Sequence, residues 1–148
     1  MKNDYNRILE LARKLDVPVA NENINRPELF VKVMDTINDE YLKFCYDAGH
    51  NNVFDPEYDY LSKYGKRLIA LHLHDNDGKT DQHTLNKYGT IDWDRIALLL
   101  SRCPNVNLDY ELLLYSNRDM SAKQALDECY RQGKELEKLI EEKRTSID

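Results

Sequence analysis

The chain has 148 residues, of which 41% are hydrophobic and 32% charged, and a formal net charge of −6. That length supports one packed core, and the longest apolar runs, such as residues 96–100, fall far short of the roughly 20 residues a membrane-spanning helix needs. The acidic balance lacks the basic stripe of a nucleic-acid binder, Met-Lys-Asn-Asp at the start is no apolar signal region, and Cys45, Cys103 and Cys129 contain no CxxC pair and suit free thiols.

A single domain over residues 1–148, cytoplasmic and without membrane or nucleic-acid partners, is therefore the expectation. Tyr5, Ile8, Leu9, Ala12 and Leu15 recur at three- and four-residue spacing, which predicts an amphipathic helix over residues 4–15, ended before Pro18. A strand over residues 17–23 follows. Asn25 then stands where a helix cap is wanted, Pro27 suits the first turn, and Glu28 can complete a capping box. Leu29, Phe30, Val33, Met34 and Ile37 supply that helix with a buried face. The alternation repeats through a strand over 41–47, a helical piece over 56–64, a strand over 67–74, a long polar loop and a helix over 92–102. A strand over 106–112 and a final helix over 121–143 complete it. Strands alternating with helices predict an α/β architecture, a parallel sheet covered by helices.

Alternate side chains of a strand share a face. Ala20 therefore goes with Glu22, Cys45 with Asp47, Ala70 with His72 and His74, and Asn107 with Asp109 and Glu111. Val17, Val19, Phe44, Tyr46, Ile69, Leu71, Leu73, Leu108, Tyr110 and Leu112 take the opposite face. Each strand thus has one apolar face and one that ends in a carboxylate or an imidazole. In a barrel the apolar face packs under the helices, and the polar C-terminal ends converge on the mouth where active sites of such barrels lie.

Taken in order, several segments carry a resemblance: Val-Ala-Asn-Glu22-Asn23, Cys-Tyr-Asp47-Ala-Gly-His50, His72-Leu-His74-Asp75-Asn76-Asp77-Gly78, Asp81-Gln-His83, Gly89-Thr-Ile-Asp-Trp93 and Tyr-Glu111. Together they resemble the sugar phosphate isomerase/epimerase branch of the xylose-isomerase-like TIM barrels, the superfamily that also holds AP endonuclease family 2. The resemblance covers nearly the whole chain. It implies a (β/α)8 barrel present as a C-terminal half-barrel of four strand-helix units, the family's fifth to eighth strands preceded by its fourth helix.

The same resemblance implies that Glu22, Asp47, His74 and Glu111 hold one divalent metal ion. Such an oxygen-rich set with a single imidazole suits Mn2+, Mg2+ or Co2+ and accommodates Zn2+. In the family's epimerases the ion polarises a carbonyl and stabilises an enediolate, while two glutamates, here Glu22 and Glu111, remove and return the proton. His50 resembles a histidine that contacts a substrate oxygen, or else caps its strand as a loop residue. The family uses either imidazole position, the second in single-metal isomerases and the first in the multi-zinc endonuclease IV branch, so His74 is placed ahead of His72. Asp81 and His83 match a pair that binds a further metal in the endonuclease branch and elsewhere shapes the pocket as a polar loop. With His50 and His72 they are the candidates for a second metal or for substrate contact. Trp93 packs the start of its helix on this reading.

The expected function is divalent-metal-dependent isomerisation or epimerisation of a small keto-sugar or sugar phosphate. Two alternatives remain: a non-catalytic half-barrel with residual metal binding, and an endonuclease-IV-like zinc phosphodiesterase using Glu22, Asp47, His50, His72, Asp81, His83 and Glu111. Four strands cannot close a barrel that takes eight, so a second copy or a complementary N-terminal half-barrel is the expected partner. Two departures stand out. Asn21 occupies a usually apolar position and needs a hydrogen bond there, and the loop reads Leu-Asn-Lys-Tyr-Gly89 where the family often runs through Pro-Gly or a similar turn into its Gly-Thr-Ile-Asp segment.

Overall fold

Three strands, β1 (Val19–Glu22), β2 (Leu42–Asp47) and β3 (Leu68–His72), pair in parallel and in chain order in the computed structural model, which describes residues 2–117 and 119–146. Helix α1 (Lys2–Leu15) precedes β1, and α2 (Pro27–Thr36) returns the chain to β2. Between β2 and β3 come α3 (Ala48–Phe54), α4 (Tyr60–Tyr64) and a 3-10 turn at Gly65–Arg67. Helix α5 (Trp93–Leu100) follows β3 after the long loop, and α6 (Ala122–Thr145) is the longest element. The α/β expectation with parallel strands holds. No helix among the described residues is long and apolar enough to cross a membrane.

The fourth strand expected over 106–112 contracts to one parallel bridge, Leu73 opposite Tyr110. Leu73 N donates to Asp109 O at 2.9 Å, and Glu111 N donates to Leu73 O at 3.1 Å. The segment runs beside β3 in the expected direction, and its alternation persists, with Leu108, Tyr110 and Leu112 half-buried and Asn107, Asp109 and Glu111 exposed. With no partner on its outer side among the described residues, it forms no longer ladder.

Local chemistry also moves some boundaries. Arg26, not Asn25, occupies the cap position of α2, without a side-chain cap, and Glu28 pairs with Arg26 at 2.7 Å instead of closing a capping box. Pro27 does open that helix. A capping box forms at Ser121 and Gln124, which start α6. The helical piece expected over 56–64 shortens to α4, while α3 starts directly after β2 because the Asp47 side chain accepts from His50 N at 2.7 Å. A register shift pairs Phe44 with Leu68 but Cys45 with Ala70, leaving Ile69 as the extra residue. Leu68 is consequently buried and Ile69 is 39% exposed, the reverse of strict alternation, because one inserted residue flips the face.

The core lies between sheet and helices. Phe30 of α2 meets Tyr60 and Tyr64 edge-on at 5.2 and 5.6 Å and Phe44 of β2 at 5.3 Å, above buried Leu42, Leu68, Leu71 and Leu73. Arg67 donates to Leu42 O, Met34 O and Ile37 O, tying the end of α2 to the start of β2. Asn21 finds the partner its position demands, since Tyr5 OH donates to its Oδ1 at 2.8 Å. Phe30→Ala should therefore cost about 3–5 kcal/mol in a denaturant unfolding experiment, the range for an aromatic removed from a packed core.

Candidate metal centre

Parallel register brings the polar strand ends to one rim. Glu22 pairs with Cys45, and Asp47 with His72, so Glu22, Asp47 and His72 each end a strand on the same side of the sheet. Glu111 joins them beside the Leu73–Tyr110 bridge, and the loop after His74 folds back to deliver Asp81 and His83.

Two overlapping groups form there. In the first, His72 Nδ1 lies 3.5 Å from Glu22 Oε1, 3.8 Å from Asp47 Oδ2 and 3.4 Å from Glu111 Oε2. His72 Nδ1 and Asp47 Oδ2 are nevertheless buried atoms without an aligned hydrogen-bond partner. Buried ligand atoms left without an aligned partner beside several carboxylates suit a nearby cation.

The second group is His50, His74, Asp81 and His83, whose ligand atoms lie within 4.8 Å of one another. His50 Nε2 and His83 Nε2 each stand 3.3 Å from Asp81 Oδ2. Their other nitrogens face backbone carbonyls, His50 Nδ1 at 3.1 Å from Asn23 O and His83 Nδ1 at 2.9 Å from Glu111 O. A carbonyl oxygen only accepts, so each Nδ1 carries hydrogen and, in the neutral ring, each Nε2 keeps its lone pair for a metal. His74 is fully buried and stacks on His83 at 3.8 Å, and its Nε2 lies 3.1 Å from Asp47 Oδ1 and 3.8 Å from Asp81 Oδ1. Neither nitrogen of His74, nor Asp81 Oδ1, has an aligned hydrogen-bond partner.

The four expected ligands divide between two trios that share Asp47: Glu22 with His50, and His74 with Glu111. His72, ranked second from the sequence, is the imidazole that faces all three carboxylates. The orphaned buried atoms make the site a fit for a divalent cation. A cavity lined by Val106, Leu108, Tyr110, Leu126 and Tyr130 contains none of these groups.

The sequence profile described as "Xylose isomerase-like TIM barrel" matches residues 1–129. This chain belongs to that family. Among its relatives, the uncharacterized protein y4fM of Sinorhizobium fredii (strain NBRC 101917 / NGR234) is 37% identical over 74 residues, which is 49% of this chain and 24% of that protein. The crystal structure of a D-tagatose 3-epimerase-like protein superposes with a TM-score of 0.63 at 21% identity, over 88% of this chain and 53% of the other. The chain thus spans about a quarter of the curated relative and about half of the solved one.

Electrostatics of this partial xylose-isomerase-like barrel follow from its crowded rim. Burial works against a charged His50, but the Glu22 hydrogen bond and the charges of Asp47 and Asp81 outweigh it and raise its pKa to about 9. The same contact with His50 lowers the pKa of Glu22, against the effect of burial. Cys45 lies near Glu22 and His72, yet burial and the surrounding carboxylates push its thiol up to about 12, leaving it inert at neutral pH.

Some residues of the site were not singled out from the sequence. Asn23 donates its Nδ2 to Asp47 O and accepts from Asp47 N, both at 2.8 Å, which holds the end of β2 in place. A Cβ on Gly49 would fall 1.9–2.5 Å from the His74 ring atoms. The only hint of either is adjacency: Asn23 follows a candidate ligand, and Gly49 lies in the small pair after Asp47.

Two outcomes follow from the geometry. Because His50 must lose a proton before its ring can bind a metal, Zn2+ affinity should climb with pH and level off above about 9. Calorimetric titration at pH 7.5 in buffers of different ionisation enthalpy should register proton release that falls in His50→Gln. Gly49→Ala should displace the His74 ring and weaken Zn2+ binding by about tenfold or more, while β1–β3 still form as judged by circular dichroism.

Proposed function

We propose that this chain carries the metal-holding half of a divalent-metal-dependent isomerase or epimerase that acts on a small keto-sugar or sugar phosphate. The observation that carries the reading is the convergence of Glu22, Asp47 and Glu111 on His72 Nδ1. These distances support His72 as the imidazole of the set, with His74 turned to Asp47 and Asp81. The oxygen-rich set favours Mn2+, Mg2+ or Co2+, and Zn2+ also fits. The D-tagatose 3-epimerase-like neighbour lends support to a keto-sugar as the substrate class.

A bound cation would polarise the substrate carbonyl and offset the negative charge that grows on its oxygen as the neighbouring carbon loses a proton. Glu22 is kept ionised by His50 and so is open to accept that proton, although the same contact makes it a weaker base. Glu111 reaches the same centre from the segment beside β3 and is placed to return a proton from another side. In the metal-free protein His50 is charged at neutral pH and stands 3.1 Å from Glu22. The open sides of the sheet fit completion by a complementary half-barrel or a second copy. Ile8, Leu11, Leu15 and Val17 are exposed near β1, and Leu126 and Tyr130 are exposed on α6.

The His50–His74–Asp81–His83 group favours a second reading, a multi-zinc phosphodiesterase like endonuclease IV. The net charge of −6 counts against a polyanionic substrate. One bound equivalent of metal supports the isomerase, and two or more with cleavage of abasic DNA support the nuclease.

The decisive experiment follows exchange of the substrate's α-proton with deuterated solvent, in the chain joined to a complementary first half-barrel. Glu22→Gln and Glu111→Gln should retain most of the metal affinity yet slow exchange by about 10²–10⁴-fold, the usual contribution of a positioned base. Exchange at the wild-type rate in both variants would place the base elsewhere.

A further inference from the structure

The loop that carries Asp81 and His83 is gathered on a residue that neither cluster contains. Asp75 directly follows His74 and has no solvent exposure. Its Oδ1 accepts from Asn76 N at 2.9 Å and Ile91 N at 3.1 Å, and its Oδ2 accepts from Lys87 N at 3.1 Å and the Trp93 indole at 2.8 Å. Among the described residues no cation pairs with it, so these four N–H groups are what compensate the buried charge. Its backbone holds the loop as well, exchanging hydrogen bonds with Thr84 in both directions at 2.8 and 2.9 Å. Gly89 closes the arrangement, since a Cβ there would meet Asp75 Oδ1 and Asn76 O at 2.2 Å. The loop is therefore pinned at 76, 84, 87 and 91, and Asp81 and His83 fall within the span so held.

We infer that Asp75 is a positioning residue that sets Asp81, and with it His83, over His50 and His74. It reaches the metal-binding atoms only through the loop. Asn76 assists from the same corner, donating to Gly49 O at 2.9 Å and accepting from Asn52 and from Gly78 N, which ties the loop's start to the helix beneath His74. His83 has a second hold, through Glu111 O and Leu113 N, and a left-handed backbone with φ of 52°. Loss of the anchor therefore shows first at Asp81. The inference rests on the metal-binding reading of this rim, and its test separates the two.

The probe is Zn2+ titrated into the chain and its Asp75→Asn, Asp81→Asn and doubly substituted variants, together with amide hydrogen exchange on the metal-free proteins. An amide at 75 keeps the volume but turns an N–H toward N–H groups, so Asp75→Asn should weaken Zn2+ binding by about 10- to 100-fold. Exchange at Lys87 and Ile91 should become faster. Asp81→Asn should then add nothing further in the Asp75→Asn background, which a residue that merely stabilised the fold would not produce. Trp93→Phe, which removes only one of the four donors, gives a milder test in case Asp75→Asn folds poorly, with a smaller loss that is likewise non-additive with Asp81→Asn. Unchanged exchange at Lys87 and Ile91, or losses at 75 and 81 that simply add, would overturn the inference. A wild-type chain that takes up no Zn2+ while Asp75→Asn still loosens the loop would overturn the metal reading and leave the anchor standing.

Discussion

Everything at the rim is arranged around one fully buried carboxylate, Asp47. A charge removed from water needs compensation from fixed dipoles, hydrogen bonds or a counterion. Asn23 takes both backbone groups of Asp47, and Asp47 Oδ1 caps α3, so the sheet and the helix after it are joined at this residue. Its Oδ2 is left unpartnered between His50 and His72, and Oδ1 is also within 3.1 Å of His74. Local secondary structure satisfies half of this carboxylate, and the other half is left without an aligned hydrogen-bond partner.

The protons on the rim follow from the same crowding. Three carboxylates, Glu22, Asp47 and Asp81, meet around His50, and in the metal-free protein a proton on His50 partly offsets their negative charge. A metal bound at His50 would have to displace that proton, which would link its uptake to pH. Glu22 stays ionised for the same reason, so the base in the proposed chemistry and the acidic form of its neighbour come from a single contact.

Where local patterns and three-dimensional packing disagree, the differences have plain causes. The bulge at Ile69 reverses a face that alternation had assigned, because register is set by pairing with β2 and not by the strand alone. The segment at 106–112 keeps a strand's alternation but gains only one bridge, because a ladder needs neighbours. Asn25 looks like a cap in sequence, yet Arg26 takes the position once Pro27 sets the first turn.

Read from one dimension, the chain already declares its α/β alternation, the family to which it belongs, and the strand-end placement of Glu22, Asp47, the two histidines and Glu111, since period-two and period-three-to-four patterns are local properties. Which imidazole faces which carboxylates was beyond that reading. His72 and His74 share a face two residues apart, and only the register of β3 against β2, together with the path of the returning loop, sets His72 beside Glu22, Asp47 and Glu111 and His74 between Asp47 and Asp81. The anchoring of that loop was equally hidden. Asp75 meets Lys87, Ile91 and Trp93 across twelve to eighteen residues of intervening chain, and a hydrogen bond over that span depends on where the loop returns, which no local pattern encodes.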